Sequence, residues 1–204
     1  MNGFFIAAIV EGHGEVSALP ILLRRIHGMS GGADRELVVN PPIRIKAGSF
    51  LNDSAYRERY LQMASAKARY SGRKGLILVM LDCDDGCPAT CGPDLRKHVA
   101  GHCGNLDVIV LFACREFETW FIASAPSLAG TRGFPENVEV PPDPEKWRDA
   151  KGWLGSHLNR RYNEPSDQPA FTSVFDFNLA MSNDSFARTC KKLKAFFASL
   201  QAEK

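Results

Sequence analysis

Three short apolar runs limit what this chain can fold into. They are Phe4 to Val10, residues 75–81 and Leu106 to Ala113, and each runs into acidic residues at its C-terminal end. The first meets Glu11 in a Gly-rich turn, Gly12-His13-Gly14, with Glu15 just behind it. The second meets Asp82, Cys83, Asp84 and Asp85, and the third meets Arg115, Glu116, Phe117 and Glu118. Apolar runs of this length, alternating with helical patterns, read as strands covered on both faces. Carrying an acid to the tip of such a strand is costly unless a cation or an exposed sheet edge compensates. The element order βαβαβαβα predicts an α/β fold: a Rossmann-like, mostly parallel central sheet flanked by helices. All three acidic tips then fall on one edge of the sheet, the edge where such folds bind ligands.

The intervening segments support that order. A helix follows the first strand, with its apolar face at Leu19, Leu22, Leu23 and Ile26. It starts at Glu15, or at Ser17 as cap with Pro20 in the first turn. Glu36 to Lys46 reads as a strand broken by Pro41-Pro42, and therefore as an edge strand or a bulge. Asp53 to Tyr70 reads as a polar helix and Asp94 to Ala100 as a short one. Residues 1–124 form the expected core. Residues 125–204 are Pro-rich at first and then helical, and are expected to pack on that core as a helical annex. Its last helix carries the stripe Phe186, Cys190, Leu193, Phe197 and Leu200, with Ser182 as the expected cap.

Composition narrows the class. The chain has 204 residues, 45% hydrophobic and 24% charged, with a formal charge of +2. These are the proportions of an ordinary globular protein, and the near-neutral total neither requires nor excludes nucleic acid. No apolar run approaches the roughly 20 residues of a membrane-spanning helix. The expected location is the cytoplasm, with the six cysteines reduced.

Glu11, Glu15, Asp82 and Asp84 are the leading candidates for chemistry. Clustered acids repel one another unless a divalent cation neutralises them or some carry protons. Hard oxygen ligands suit Mg²⁺ or Mn²⁺, and paired ions about 3.5–4 Å apart are a common device for phosphodiester cleavage. Asp85 is a further acid able to act through water. A second cluster, Cys83, Cys87, Cys91, His98, His102 and Cys103, has spacing unlike paired zinc-ligand motifs and reads better as buried thiols and surface histidines. His13 reads first as an exposed turn residue and second as a group able to contact a scissile phosphate or act as an acid. The basic residues Arg44, Lys46, Arg57, Arg59, Lys67, Arg69, Arg73, Lys74, Arg160, Arg161, Lys191, Lys192 and Lys194 read singly as surface and together as a phosphate-friendly periphery. The Gly12-His13-Gly14 turn is not followed by Gly-Lys-Ser/Thr, so ATP hydrolysis by this chain is not expected.

Val10-Glu11-Gly12 at the first strand tip and Asp82-Cys83-Asp84 at a later one resemble the two motifs of the Toprim fold. The E-G-x-x-E form, with Glu15, is most similar to the type found in OLD-family nucleases. Cys114-Arg115-Glu116 falls where that type carries a small residue, a spacer and a glutamate, with Cys in place of Ser. Over a longer stretch, VEGHGEVSALPILLRRI, LDCDDGCP and REFETWFIAS resemble the bacterial Toprim-like family known as domain of unknown function 4276. The resemblance implies a Toprim-like core, with Glu11, Asp82 and Asp84 catalytic and Glu11, Glu15, Asp82, Asp84 and Glu116 binding Mg²⁺ or Mn²⁺. Glu118 is the alternate to Glu116. It further implies a nuclease acting on nucleic acid, DNA before RNA, with an ABC-type ATPase partner and a role in phage defence. A homodimer is compatible with it. The competing expectations are a non-catalytic metal- or nucleic-acid-binding subunit of an ATPase system, and another phosphoryl transfer using the same metals.

Overall fold

The computed structural model describes residues 3–31, 36–83 and 88–199. Among these residues five strands form one sheet: β1 (Gly3–Val10), β2 (Glu36–Val39), β3 (Ile43–Arg44), β4 (Lys74–Asp82) and β5 (Asp107–Ala113). Their order is β2–β1–β4–β5, with β3 also on β1, and all the pairings are parallel. The α/β architecture with a parallel central sheet is therefore as expected. The chain leaves β1 toward β2 and β3 on one side and then crosses to β4 on the other. That reversal opens a crevice at the carboxyl ends of β1 and β4.

The proline pair acts as expected of a bulge. β1 pairs Ile6 with Val39 and then Ile9 with Ile43. Three steps on β1 correspond to four on its neighbour, so one extra residue is taken up at Asn40–Pro42. Proline has no N–H to give to the ladder, which is why the strand splits there.

The helices are α1 (Glu15–Met29), α2 (Ala47–Asn52), α3 (Ser54–Tyr70), α4 (Pro88–Cys103), α5 (Thr119–Ala123), α6 (Ala150–His157), α7 (Glu164–Val174), α8 (Phe177–Ala180) and α9 (Asp184–Ser199). Short 3₁₀ turns occupy Ala125–Leu128, Thr131–Gly133 and Pro144–Lys146. Strand alternation divides the interior in two. Phe4, Ile6, Ala8 and Val10 face one core with Leu76, Leu78 and Met80, covered by α1, α5, α7 and α9. Phe5, Ala7 and Ile9 face the other with Ile77, Val79 and Leu81, covered by α2, α3 and α4.

Residues beyond 124 take a full part in the first core. Phe121 meets Phe171 and Phe175 edge-on, and Phe186 meets Trp120, Phe175 and Phe177. The Trp120 indole N–H donates to Ser185 Oγ at 2.9 Å. Arg25 of α1 donates to the carbonyls of Thr172 and Phe175 and lies over the Phe177 ring. Those carbonyls belong to the end of α7, so a cation placed there satisfies helix-terminal acceptors.

The start of α1, for which the sequence offers Glu15 or Ser17, falls at Glu15 and keeps Pro20 inside the helix. Two boundaries differ from expectation. α4 starts earlier, at Pro88, and accommodates Pro93. Asn183 caps α9, its Oδ1 accepting from the Phe186 amide, while the Ser182 hydroxyl donates backward to the Leu179 carbonyl. Among the described residues, no helix is long and apolar enough to cross a membrane.

Phe175→Ala should remove a ring shared by α5, α8 and α9 and cost about 3–5 kcal/mol. Urea unfolding followed by tryptophan fluorescence and by far-ultraviolet circular dichroism should then show one coincident, weakened transition. Two separate transitions would mean that residues beyond 124 do not share the core cooperatively.

Candidate functional site

The tips of β1, β4 and β5 meet at the crevice. Asp82 lies level with Ala113, and continuing the β1–β4 register places it opposite Gly12. Glu11 follows β1 directly, and Glu15 opens α1 behind the turn. Glu15 folds back on that turn. Its Oε2 accepts from the Glu11 amide at 3.0 Å and from the Gly12 amide at 2.8 Å. One oxygen of Glu15 therefore braces the loop that presents Glu11.

Glycine at position 14 is required by close packing. A Cβ there would run into the Gln168 side chain and come within 2.6 Å of the Glu164 carbonyl, both on α7. The first turn of α7 is thus pressed against the loop that follows β1.

The β5 tip is built by a tight turn. The Glu116 amide donates to the Cys114 carbonyl at 2.9 Å around Arg115, whose φ is +61°. That conformation is costly for a side-chain-bearing residue, and such strain concentrates at functional sites. The turn sends the Phe117 amide onto Asp82 Oδ1 at 3.0 Å, tying the β4 and β5 tips together. Glu118 then lies buried at the start of α5, only 1% exposed. Glu118 Oε1 and Glu116 Oε2 are buried oxygens without a hydrogen-bond partner.

Electrostatics identify the cluster. Burial, opposed by the Gly12 and Glu11 amides and reinforced by the Glu11 charge, raises the Glu15 carboxyl to about 7. Burial raises Glu118 to about 8, with Glu116 and Glu15 adding to it. Asp82 is held well above the usual carboxylate range, first by burial and then by Glu15 and Glu118. The opposing cation is Lys151, at the start of α6. Burial alone would lower the Lys151 ammonium; Glu118, the hydrogen bond to Glu164 and Asp82 outweigh it and hold it above its usual range. Its Nζ pairs with Glu164 at 2.7 Å. Burial, and after it the charge of neighbouring Glu118, holds the Tyr162 phenol well above its usual range.

The structure thus brings together Glu11, Glu15, Asp82 and Glu118, with Glu116 close to Glu118. Asp84 and Asp85 lie outside the described residues. Lys151 and Tyr162, both beyond residue 124, were not foreseen from the sequence. The available signal was a lysine in the first turn of a helix, where the helix dipole disfavours a cation. His13 is exposed and lines a cleft of about 510 Å³ with Arg161, Tyr162, Asn163 and Glu164. A neighbouring cleft of about 500 Å³ adds Lys151 and Arg160.

Other expected groups go elsewhere. Arg57, Arg69 and Arg73 are used structurally, donating to the Phe50, Cys103 and Glu36 oxygens respectively. Cys103 is buried at the end of α4, the opposite edge of the sheet from Cys83. The His98 and His102 rings engage backbone carbonyls on α4, and His102 also meets Glu58. Cys87 lies outside the described residues. The Cys91 side chain is likewise outside them, and among the described residues no zinc-ligating set forms.

Hard carboxylate oxygens, two of them buried and unpartnered, suit a divalent cation in donor chemistry. Among the described residues, no three His, Cys, Asp or Glu side chains already stand in a ligating arrangement. In comparisons with known proteins, no family model, no curated protein and no solved structure matched the chain.

Two outcomes follow from this geometry. Glu15 and Glu118 keep their protons in the folded protein to about pH 7 and 8, against 4.5 as the ordinary value. Between those limits the folded state binds more protons than the unfolded one. Their contribution to stability is therefore full below pH 4.5 and lost as pH rises through 7 and 8. The stability difference between Glu118→Gln and wild type, from urea unfolding without metal, should thus grow in favour of the variant from pH 5.5 to 8.5. A constant difference would contradict a buried Glu118 carboxyl raised to about 8. Gly14→Ala should destabilise by about 1–3 kcal/mol through overpacking against α7, visible as a lowered urea midpoint with an unchanged slope.

Proposed function

We propose that this protein is a Mg²⁺- or Mn²⁺-dependent phosphodiesterase of the Toprim type, cleaving nucleic acid, with DNA as the preferred substrate. The observation that carries this reading is the gathering of carboxyls at the β1, β4 and β5 tips, where burial and mutual repulsion disfavour their charge. Glu15, Asp82 and Glu118 are each raised above the ordinary carboxylate range, with Lys151 as the opposing cation. A divalent ion is the ligand that turns such a cluster from a cost into a gain.

Glu11, Asp82, Asp84 and the buried oxygens of Glu116 and Glu118 are the residues that would hold it. Glu15 contributes its second oxygen while the first braces the loop. When bound, such an ion supplies a hydroxide nucleophile near neutral pH and charge stabilisation at a phosphoryl oxygen. The chain's own residues do the rest. The Phe117 amide fixes the Asp82 carboxyl. Lys151 offers an ammonium to the charge that develops on a phosphodiester. Arg161 and His13, on the rim of the adjoining cleft, give a nucleic-acid backbone a place to rest. An ABC-type ATPase partner and a role in phage defence belong to this reading through the motif resemblance.

One observation favours a second reading. Lys151 already places a positive charge among these acids. A self-neutralised site of this kind suits a non-catalytic, metal- or nucleic-acid-binding regulatory subunit.

Calorimetric titration with Mn²⁺ and incubation of the same samples with supercoiled plasmid separate the two. Wild type should bind Mn²⁺ and nick the plasmid, and Asp82→Asn should do neither. Lys151→Ala should bind Mn²⁺ at least as tightly, since a competing cation is gone, yet cleave about 10²–10³-fold more slowly. Binding without nicking by wild type would move the assignment to the regulatory reading. An absence of binding would refute the metal site.

A further inference from the structure

The sheet ends at β5, and among the described residues no strand pairs with its outer edge. The Ala113 carbonyl accepts from Cys83 on the β4 side. Strand residues alternate in the side to which their N–H and C=O point, so Val108, Val110 and Phe112 turn theirs outward. An open edge of this kind is normally blunted or covered. Here α4 and α9 rise on either side and leave a groove of about 520 Å³ over Val110, Leu111 and Phe112.

The groove combines an apolar floor with cations. Arg96 stands on the α4 side, and Arg188 and Lys192 on the α9 side. The Lys192 ammonium donates to the Val110 carbonyl at 3.2 Å, a stand-in for the donor a further strand would bring. Among the described residues no acid lines the groove; Glu145 lies just outside it, 3.9 Å from Arg188. Burial and then the charges of Arg96 and Arg188 lower the Lys192 ammonium below its usual range, and among the described residues the one ion pair these three cations make is that of Arg188 with Glu145.

We propose that this groove takes an extended, acidic peptide segment of a partner protein, added to the sheet as a strand alongside β5. The outward N–H and C=O groups of Val108, Val110 and Phe112 supply main-chain affinity, and the groove floor takes alternate apolar side chains. Carboxylates on the segment pair with Arg96 and Arg188. Lys192 transfers from the Val110 carbonyl to a carboxylate and frees that carbonyl for the incoming N–H. A second copy of this chain fits poorly, because edge-to-edge pairing brings two sets of these cations together. Nucleic acid would use the cations but leave the apolar floor and the open main chain unused.

The test uses the full chain and fluorescence anisotropy. The probes are a fluorescein-labelled peptide of about eight residues, at ~3.3 Å of strand each, alternating valine with glutamate; the same peptide with lysine for glutamate; and a labelled single-stranded oligonucleotide of similar length. The acidic peptide should bind, and the lysine peptide should not. Arg188→Glu/Lys192→Glu should weaken binding at least tenfold, as should N-methylation of alternate amides in the peptide. Hydrogen exchange of the Val108, Val110 and Phe112 amides should slow on saturation. Should the double variant fail to fold, Arg96→Glu, at an exposed position, takes its place with the same expected direction. The inference is overturned if the acidic peptide does not bind, if binding survives charge reversal or N-methylation, or if only the oligonucleotide binds. Arg96, Arg188 and Lys192 take no part in the acidic cluster, so metal-dependent cleavage is read separately.

Discussion

Mutual repulsion among buried carboxylates is the constraint on which this structure depends. Parallel strands end together, so acids placed at their C-terminal tips are gathered at one edge whether or not they attract. β1 and β4 bring Glu11, Glu15 and Asp82 to the reversal point of the sheet, and the turn after β5 adds Glu116 and Glu118. Desolvation then makes each charge dearer than it would be in water. Protonation, Lys151 and a bound cation are the three physical remedies. The first two are visible in the raised carboxyls and in the lysine held among them.

The surrounding fold holds these groups in place. Glu15 uses one oxygen to hold the loop after β1, and Gly14 lets α7 close against that loop. The strained Arg115 turn passes an amide to Asp82 and seats Glu118 under Tyr162. α7 is in turn tied to α1 by Arg25. Arg132 and Arg160 hold the buried Asp167 near the α7 start, and the Asn163 amide donates to the same carboxylate. The segment beyond residue 124 therefore does more than cover the sheet. It delivers the cation, closes the crevice and fixes the wall against which the Gly-rich turn rests.

The sheet was legible in the sequence because buried parallel strands are continuous apolar runs and because a proline pair leaves few options. The register slip at Asn40–Pro42 follows from the missing amides alone. Glu11, Glu15 and Asp82 were legible because they abut those runs. The choice between Glu116 and Glu118 was open, since a reverse turn at a residue with positive φ cannot be read from composition. Glu118 is the more buried of the two. Lys151 and Tyr162 were out of reach. They come from a Pro-rich and helical stretch without periodicity that ties it to the crevice, and only tertiary packing brings them there. The α9 cap was misplaced by one residue for a simpler reason. Ser182 and Asn183 both favour such positions, and the Asn183 carbonyl is the one that reaches the Phe186 amide.

The most direct measurement is a carboxyl-carbon NMR titration of Glu15, Asp82 and Glu118, with and without Mg²⁺. Without metal, Glu15 and Glu118 should titrate near 7 and 8, with Asp82 well above the ordinary aspartate value. With Mg²⁺, all three midpoints should fall together, by a unit or more, into or below the ordinary carboxylate range of roughly 3.5–4.5. Midpoints that ignore Mg²⁺, or ordinary midpoints in its absence, would contradict the claim that these strand tips form a single cation-binding unit.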